Sequence, residues 1–153
     1  MSEQSNPPAD YFRQRFEAYQ TYVKEVGEEK ALEKIFEGYP ERHRKNMGRF
    51  INNASLAEGF SKAIEEFTQG GWEMSVVDIS GRGMDAVIEI QTGCPALAVA
   101  REFGYEKPCF LVCDLDGKAS RIAFPEMQGD VLCRIADGAS ACVFKYERRA
   151  LVD

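Results

Sequence analysis

Five thiols and one acid, crowded into the C-terminal part of the chain, are the residues best placed to do chemistry. All five cysteines lie between Cys94 and Cys142, and the first 93 residues have none. A thiolate is a nucleophile and a ligand for soft metals, whereas a protonated thiol is a small packing group. Cys94 precedes Pro95, a favoured first residue of a helix. Backbone N–H groups and the helix dipole at such a position lower a thiol pKa, so Cys94 has the best local case for a thiolate. Cys109, Cys113, Asp116 and Ser120 recur at spacings of four, three and four, which places them on one face of a helix predicted over 108–124. Val112, Ala119 and Ala123 lie beside that stripe, so it turns two thiols and a carboxylate towards the interior. Asp is rarely buried unless paired, and the alternative is an edge position for Asp116 with both cysteines as small core residues.

Three further groups complete the chemical inventory. In the last predicted strand Cys142, Phe144 and Tyr146 share one face. In the strand before it Val131, Cys133 and Ile135 do. Cys133 and Cys142 are therefore expected to face the same helix layer. Zinc takes four ligands, which Cys109, Asp130, Cys133 and Cys142 could supply, although their spacing matches no zinc motif. His43 is the only histidine. It lies far from the thiols in sequence, so a Cys–His pair forms only if the fold brings it back.

The elements that must position these groups follow from periodicity. Residues 1–8 read as a polar, Pro-rich tail and 9–153 as one domain. Phe12, Phe16, Tyr19, Val23 and Val26 form one apolar stripe of a helix that Gly27 stops. A short helix is predicted over 29–36, and a long one over 41–69 that Asn52, Asn53 and Gly59 weaken enough to split. Period two then takes over. Strands are predicted over 74–79 and 85–91, joined by the turn Ser80-Gly81-Arg82-Gly83. In the second, Ala86, Ile88 and Ile90 alternate with Val87, Glu89 and Gln91. Helices over 95–104 and 108–124 follow, then strands over 131–136 and 141–148 flanking Asp137-Gly138-Ala139-Ser140. A helical half (9–69) and a β-β-α-α-β-β half (74–148) make an α+β fold, with two hairpins in an antiparallel sheet and helices on one face.

Composition narrows the function classes. A net charge of −6 argues against nucleic acid, whose phosphates require clustered Lys and Arg. The basic run 42–45 reads as a solvated helix face. No segment reaches bilayer length, and the N-terminus carries no secretion signal, so a cytoplasmic location with reduced thiols is expected. No phosphate loop or nucleophile elbow is present. Trp72 and the many Phe and Tyr read as core.

Cys94-Pro95 with a helix ending at Phe103-Gly104, then Cys113-Asp114-Leu115-Asp116, then Ala136-Asp137-Gly138 with Cys142 and Phe144, resembles the L-2-amino-thiazoline-4-carboxylic acid hydrolase family over about 74–148. The resemblance implies a small hydrolase that opens a C–N or C–S bond of a heterocyclic or amide-like substrate and needs no cofactor. By position it carries over Cys113 as nucleophile or ligand, Asp116 as general base or proton relay, and Cys94 and Cys142 as supporting thiols. The neighbouring carboxylate would raise the Cys113 pKa, so a cation such as Arg134 or Lys118 would have to approach. Asp130, Cys133 and Cys142 more weakly resemble the ligand end of vinyl-reductase-like sensor domains. That likeness implies a non-enzymatic small-molecule-binding domain with a cysteine-rich zinc site. Either reading takes a small-molecule partner, and a homodimer is compatible with both.

Overall fold

Glycines, prolines and one polar cap divide the N-terminal half into four helices. The computed structural model describes residues 6–150. Helix α1 (Pro7–Val26) starts inside the expected tail, because Asn6 caps the Ala9 N–H and the two prolines occupy first-turn positions. Gly27 ends it and α2 (Glu28–Phe36) follows. The long predicted stretch is two helices, α3 (Tyr39–Ile51) and α4 (Leu56–Gln69). The break falls at Asn52–Ser55, where the Ser55 side chain accepts from the Glu58 N–H at 3.1 Å. Gly59 lies within α4 rather than at the break. A Cβ there would stand 1.7 Å from the Phe50 carbonyl oxygen, so this glycine is what lets α3 and α4 cross so closely.

The C-terminal half carries one four-stranded antiparallel sheet in the order β1-β2-β4-β3. Its strands are β1 (Met74–Asp78), β2 (Met84–Gln91), β3 (Gln128–Cys133) and β4 (Cys142–Arg149). The two hairpins meet through β2 and β4, after the chain has crossed over α5 (Pro95–Glu102) and α6 (Cys113–Ala123). The fold is α+β, as expected, with helices packed against the sheet. Among the described residues, no helix is long and apolar enough to cross a membrane.

Register decides what faces the helices. Across the sheet run the rows Met74–Gln91–Cys142, Val76–Glu89–Phe144–Val131 and Val87–Tyr146–Gly129. The inward set of β2 is therefore Val87, Glu89 and Gln91. At the far end of this face Asp85 is buried and accepts from the Leu56 N–H at 3.0 Å and from Arg148 Nε at 2.9 Å. Arg148 also donates to the Ile51 and Asn53 carbonyls at 2.6 and 2.8 Å. The ion pair thus ties the α3–α4 turn to the sheet and supplies partners for helix-end groups that would otherwise be orphaned.

Three expectations fail in the second hairpin and its approach, the first being the strand expected over 131–136, which lies instead at 128–133 and is followed by a 3-10 turn at 135–137. The helix predicted over 108–124 starts at Cys113; Cys109–Leu111 form a 3-10 turn, and Val112 (φ −122°, ψ −86°) leaves the helical region. Cys109 therefore does not share a helix face with Cys113, Asp116 and Ser120. In β3 the register shifts between Val131 and Cys133. This bulge pairs Cys133 with Val143, which alternates with the inward Cys142 and Phe144, so Cys133 turns to the outer face and is exposed.

Candidate functional site

Helix α4 covers β1 and β2 while α6 packs on α3 and β3, and the space left over the sheet centre is a cavity of about 420 Å³. Cys94, Cys113, Asp116 and Cys142, which three separate stretches of the chain supply, all line it. Cys109 does too. Cys133 does not, because of the bulge. Asp130 is exposed, one position off the inward register of the edge strand, and borders the cavity at its β3 side. Of the four residues considered for zinc, Cys109, Asp130 and Cys142 therefore border the cavity and Cys133 does not. Among the described residues, no three His, Cys, Asp or Glu side chains form a metal-ligating group.

Burial favours the protonated thiol at Cys94, Cys113 and Cys142. Burial pushes the Cys113 thiol far up, and the charges of Asp116 and the neighbouring thiols add to the effect. The cation that could offset this is elsewhere. Arg134 donates to Asp114 at 2.8 Å and lies beside Cys109, while Lys118 stands 4.4 Å from the centre of the Phe36 ring. Burial also raises Cys94, and the N–H groups of the first α5 turn only partly oppose it, so the thiolate expected from its helix-end position does not form. Burial raises Cys142 as well, against an Ile135 N–H that donates to its sulfur at 3.3 Å.

The carboxyl groups behave differently. Burial raises Asp116, but a hydrogen bond from the Tyr39 hydroxyl and the charges of Arg15 and His43 pull it back. Arg15 sits 5.1 Å from the centre of the Tyr39 ring and is tied to the Leu111 carbonyl at 3.2 Å. Glu89 faces Asp116 across the cavity without such help. Burial, then the Asp116 charge, lift it from the ordinary value of 4.5 to about 7, and among the described residues no hydrogen bond holds its carboxyl. The two carboxyl groups are therefore unequal: Asp116 has partners that favour its charged form, whereas burial and the Asp116 charge favour the protonated form of Glu89.

Three other residues finish the wall. His43 is turned into the cavity from within the basic run expected to be solvated, and burial lowers its pKa. Tyr146, flat against Phe60 with ring centres 4.9 Å apart, keeps its phenolic proton because it is buried beside Glu89. Gly129 opposite makes room, since a Cβ there would lie 3.1 Å from the Tyr146 ring. Trp72 belongs to the apolar packing, edge-on to Phe12 at 5.5 Å, yet also lines the cavity. Sequence reasoning missed Glu89, Tyr39 and Arg15. Glu89 left one signal, an acid flanked by Ile88 and Ile90 in the middle of a strand. Tyr39 and Arg15 left none, because only the packing of α3 on α6 and the reach of α1 to the 109–111 turn bring them to Asp116.

No curated protein matches the chain. The model of one protein family, L-2-amino-thiazoline-4-carboxylic acid hydrolase, matches residues 10–146. The likeness thus takes in the N-terminal helices as well as the cysteine-bearing half, and those helices supply Arg15, Tyr39 and His43 around Asp116. On a match over nearly its whole length, the chain belongs to the L-2-amino-thiazoline-4-carboxylic acid hydrolase family.

Proposed function

We propose that this hydrolase-like protein cleaves a C–N or C–S bond of a small heterocyclic or amide-like substrate by adding water to it between Asp116 and Glu89. The observation that carries this reading is the unequal pair of carboxyl groups in one cavity, which is how a single site provides a base and an acid at the same pH. The Asp116 carboxylate takes a proton from water as the oxygen bonds to the unsaturated carbon. The C–N or C–S bond then breaks, and the leaving nitrogen or sulfur takes the proton of Glu89. Transfer of the Asp116 proton back to Glu89 restores the site, so one water is consumed and no other reactant is needed. Tyr39 and Arg15 stabilise the Asp116 charge, and Tyr146 offers a phenolic O–H to the developing oxyanion.

In this reading Cys113 remains a neutral thiol beside Asp116 instead of the attacking group, and Cys94 and Cys142 complete the wall. Free thiols of this kind persist in a reducing, cytoplasmic setting. The test uses a panel of cyclic thiazolines and acyclic amides, with release of thiol or amine as the readout. General acid catalysis predicts a loss of roughly a hundredfold or more in kcat for Glu89→Gln, while Cys113→Ala keeps most of the activity. Undiminished turnover by Glu89→Gln, loss of turnover in Cys113→Ala, or no turnover by the native protein across the panel would each overturn it. The apolar part of the lining favours a second reading, a non-enzymatic binding domain, which predicts ligand binding in the last of these cases.

A further inference from the structure

The cavity is larger than the minimal family substrate requires. About 420 Å³ lies within the range of sites that take drug-sized ligands, and one five-membered ring with its substituents fills only part of it. The two sides of the space also differ in chemistry. On the β1 side, Met74 begins the row that ends at Cys142, and Phe67 and Trp72 stand beside it with ring centres 6.3 Å apart. Apart from Gln91 in the middle of that row, this side is apolar. On the β3 side stands Arg134, half-buried, donating to the exposed Asp114 carboxylate and lying against Cys109, with the exposed Asp130 also in the lining. A guanidinium has five N–H donors, so others remain for a ligand. Arg121 also lines the cavity but is exposed, and His43 is depressed by burial, which leaves Arg134 as the half-buried cation of the wall. Glu89 lies on the central row, between the two sides.

We infer that the ligand is an amphiphilic acid, with an anionic carboxylate head paired to Arg134 and an apolar, ring-bearing body against Phe67, Trp72 and Met74. This rests on the reading of the cavity as a substrate site. It places the scissile bond midway along the molecule, over Glu89 and Asp116, and makes Arg134 and the Trp72 side the two determinants of specificity. A long apolar body gains from burial in proportion to its area, whereas a bare short acid gains only the ion pair.

Trp72 is the only tryptophan of the chain, so its fluorescence reports occupancy of the apolar side directly. The probes are phenylbutyrate, phenylbutyramide and acetate, titrated against the native protein and Arg134→Gln. Phenylbutyrate should change the Trp72 emission saturably and bind at least about tenfold more tightly than either other probe, the value of one charged hydrogen-bonded contact. Arg134→Gln should abolish the preference for acid over amide and leave the amide affinity unchanged. In the native protein, added salt should weaken the acid and not the amide, a readout that needs no variant. Equal affinity for acid and amide, a preference that survives Arg134→Gln, salt-insensitive acid binding or acetate binding as tightly as phenylbutyrate would each overturn the inference. None of these readouts requires turnover. Failure here with Glu89-dependent turnover intact removes only the ligand class, and selective binding without turnover removes only the chemistry.

Discussion

Replacing Glu89 by Gln should make the protein more stable at alkaline pH and flatten its pH dependence. The folded state lifts this carboxyl from 4.5 to about 7, so it holds a proton more tightly than the unfolded chain does. A group raised on folding gives its full stabilisation below the unfolded value and loses it as pH rises through the folded one. Each tenfold difference in proton affinity is worth ~1.4 kcal/mol, which makes the whole effect roughly 3 kcal/mol at most, less whatever water in the cavity screens. Glutamine keeps the shape and cannot ionise. Urea unfolding of both proteins between about pH 4 and about pH 8 should therefore show a gap that opens by roughly 2–3 kcal/mol in favour of Glu89→Gln, most of it between the two pKa values. Asp116→Asn removes the second cause of the shift and should shrink the swing. Parallel stability profiles of Glu89→Gln and the native protein would mean that the carboxyl is solvated and ionised at neutral pH, and the acid assigned to it would be lost.

Asp85→Ala leaves Arg148 buried without its counter-ion and the Leu56 N–H without an acceptor, and should cost roughly 3–5 kcal/mol in denaturant unfolding. Gly59→Ala forces a methyl onto the Phe50 carbonyl at a point where neither backbone can yield. A loss of roughly 2–4 kcal/mol and a lowered melting temperature are expected. Iodoacetamide near neutral pH, followed by peptide mass spectrometry, should label the exposed Cys133 first and Cys113 last, since alkylation follows thiolate content and access. Tyr39→Phe removes the hydroxyl that holds Asp116 down. The acid limb of the pH–rate profile should move to higher pH, with the alkaline limb shifted less.

Local rules captured most of the architecture. Period two located the first hairpin and the last strand, and Gly27 and Pro95 marked helix ends correctly, because these features are decided by residues close together in sequence. The Ser55–Glu58 cap is equally local, and an S-x-x-E pattern would have placed the start of α4 that the apolar stripe alone overran. Two errors have a common origin. Periodicity assumes that an element continues unchanged, so it carried Cys109 onto α6 across the non-helical Val112 and carried Cys133 inward past a bulge. The site was half legible. Thiols and Asp116 drew attention by type and spacing, and all but Cys133 reached the cavity. Glu89 was visible only as one member of an alternating strand whose inward face depends on which set meets the helices. The partners that set Asp116 apart from Glu89 come from helices more than 70 residues away in sequence, and no spacing encodes that.

The β2–β4 pairing has a consequence for when the site comes into existence. Glu89 sits opposite Phe144, and Gln91 opposite Cys142, so the floor of the cavity joins strands separated by about fifty residues and two helices. Contacts of such long range form late, because the intervening loop must close before they return any stabilisation. A chain emerging from the ribosome has every helix, the first hairpin and both carboxyl groups before it has a floor. Burial of Glu89 and Asp116 must await the last strand, so the shift that divides their protonation arises only with completion of the sheet. Acid–base competence is thereby coupled to the final docking step, and an incompletely folded chain carries two ordinary, ionised carboxylates.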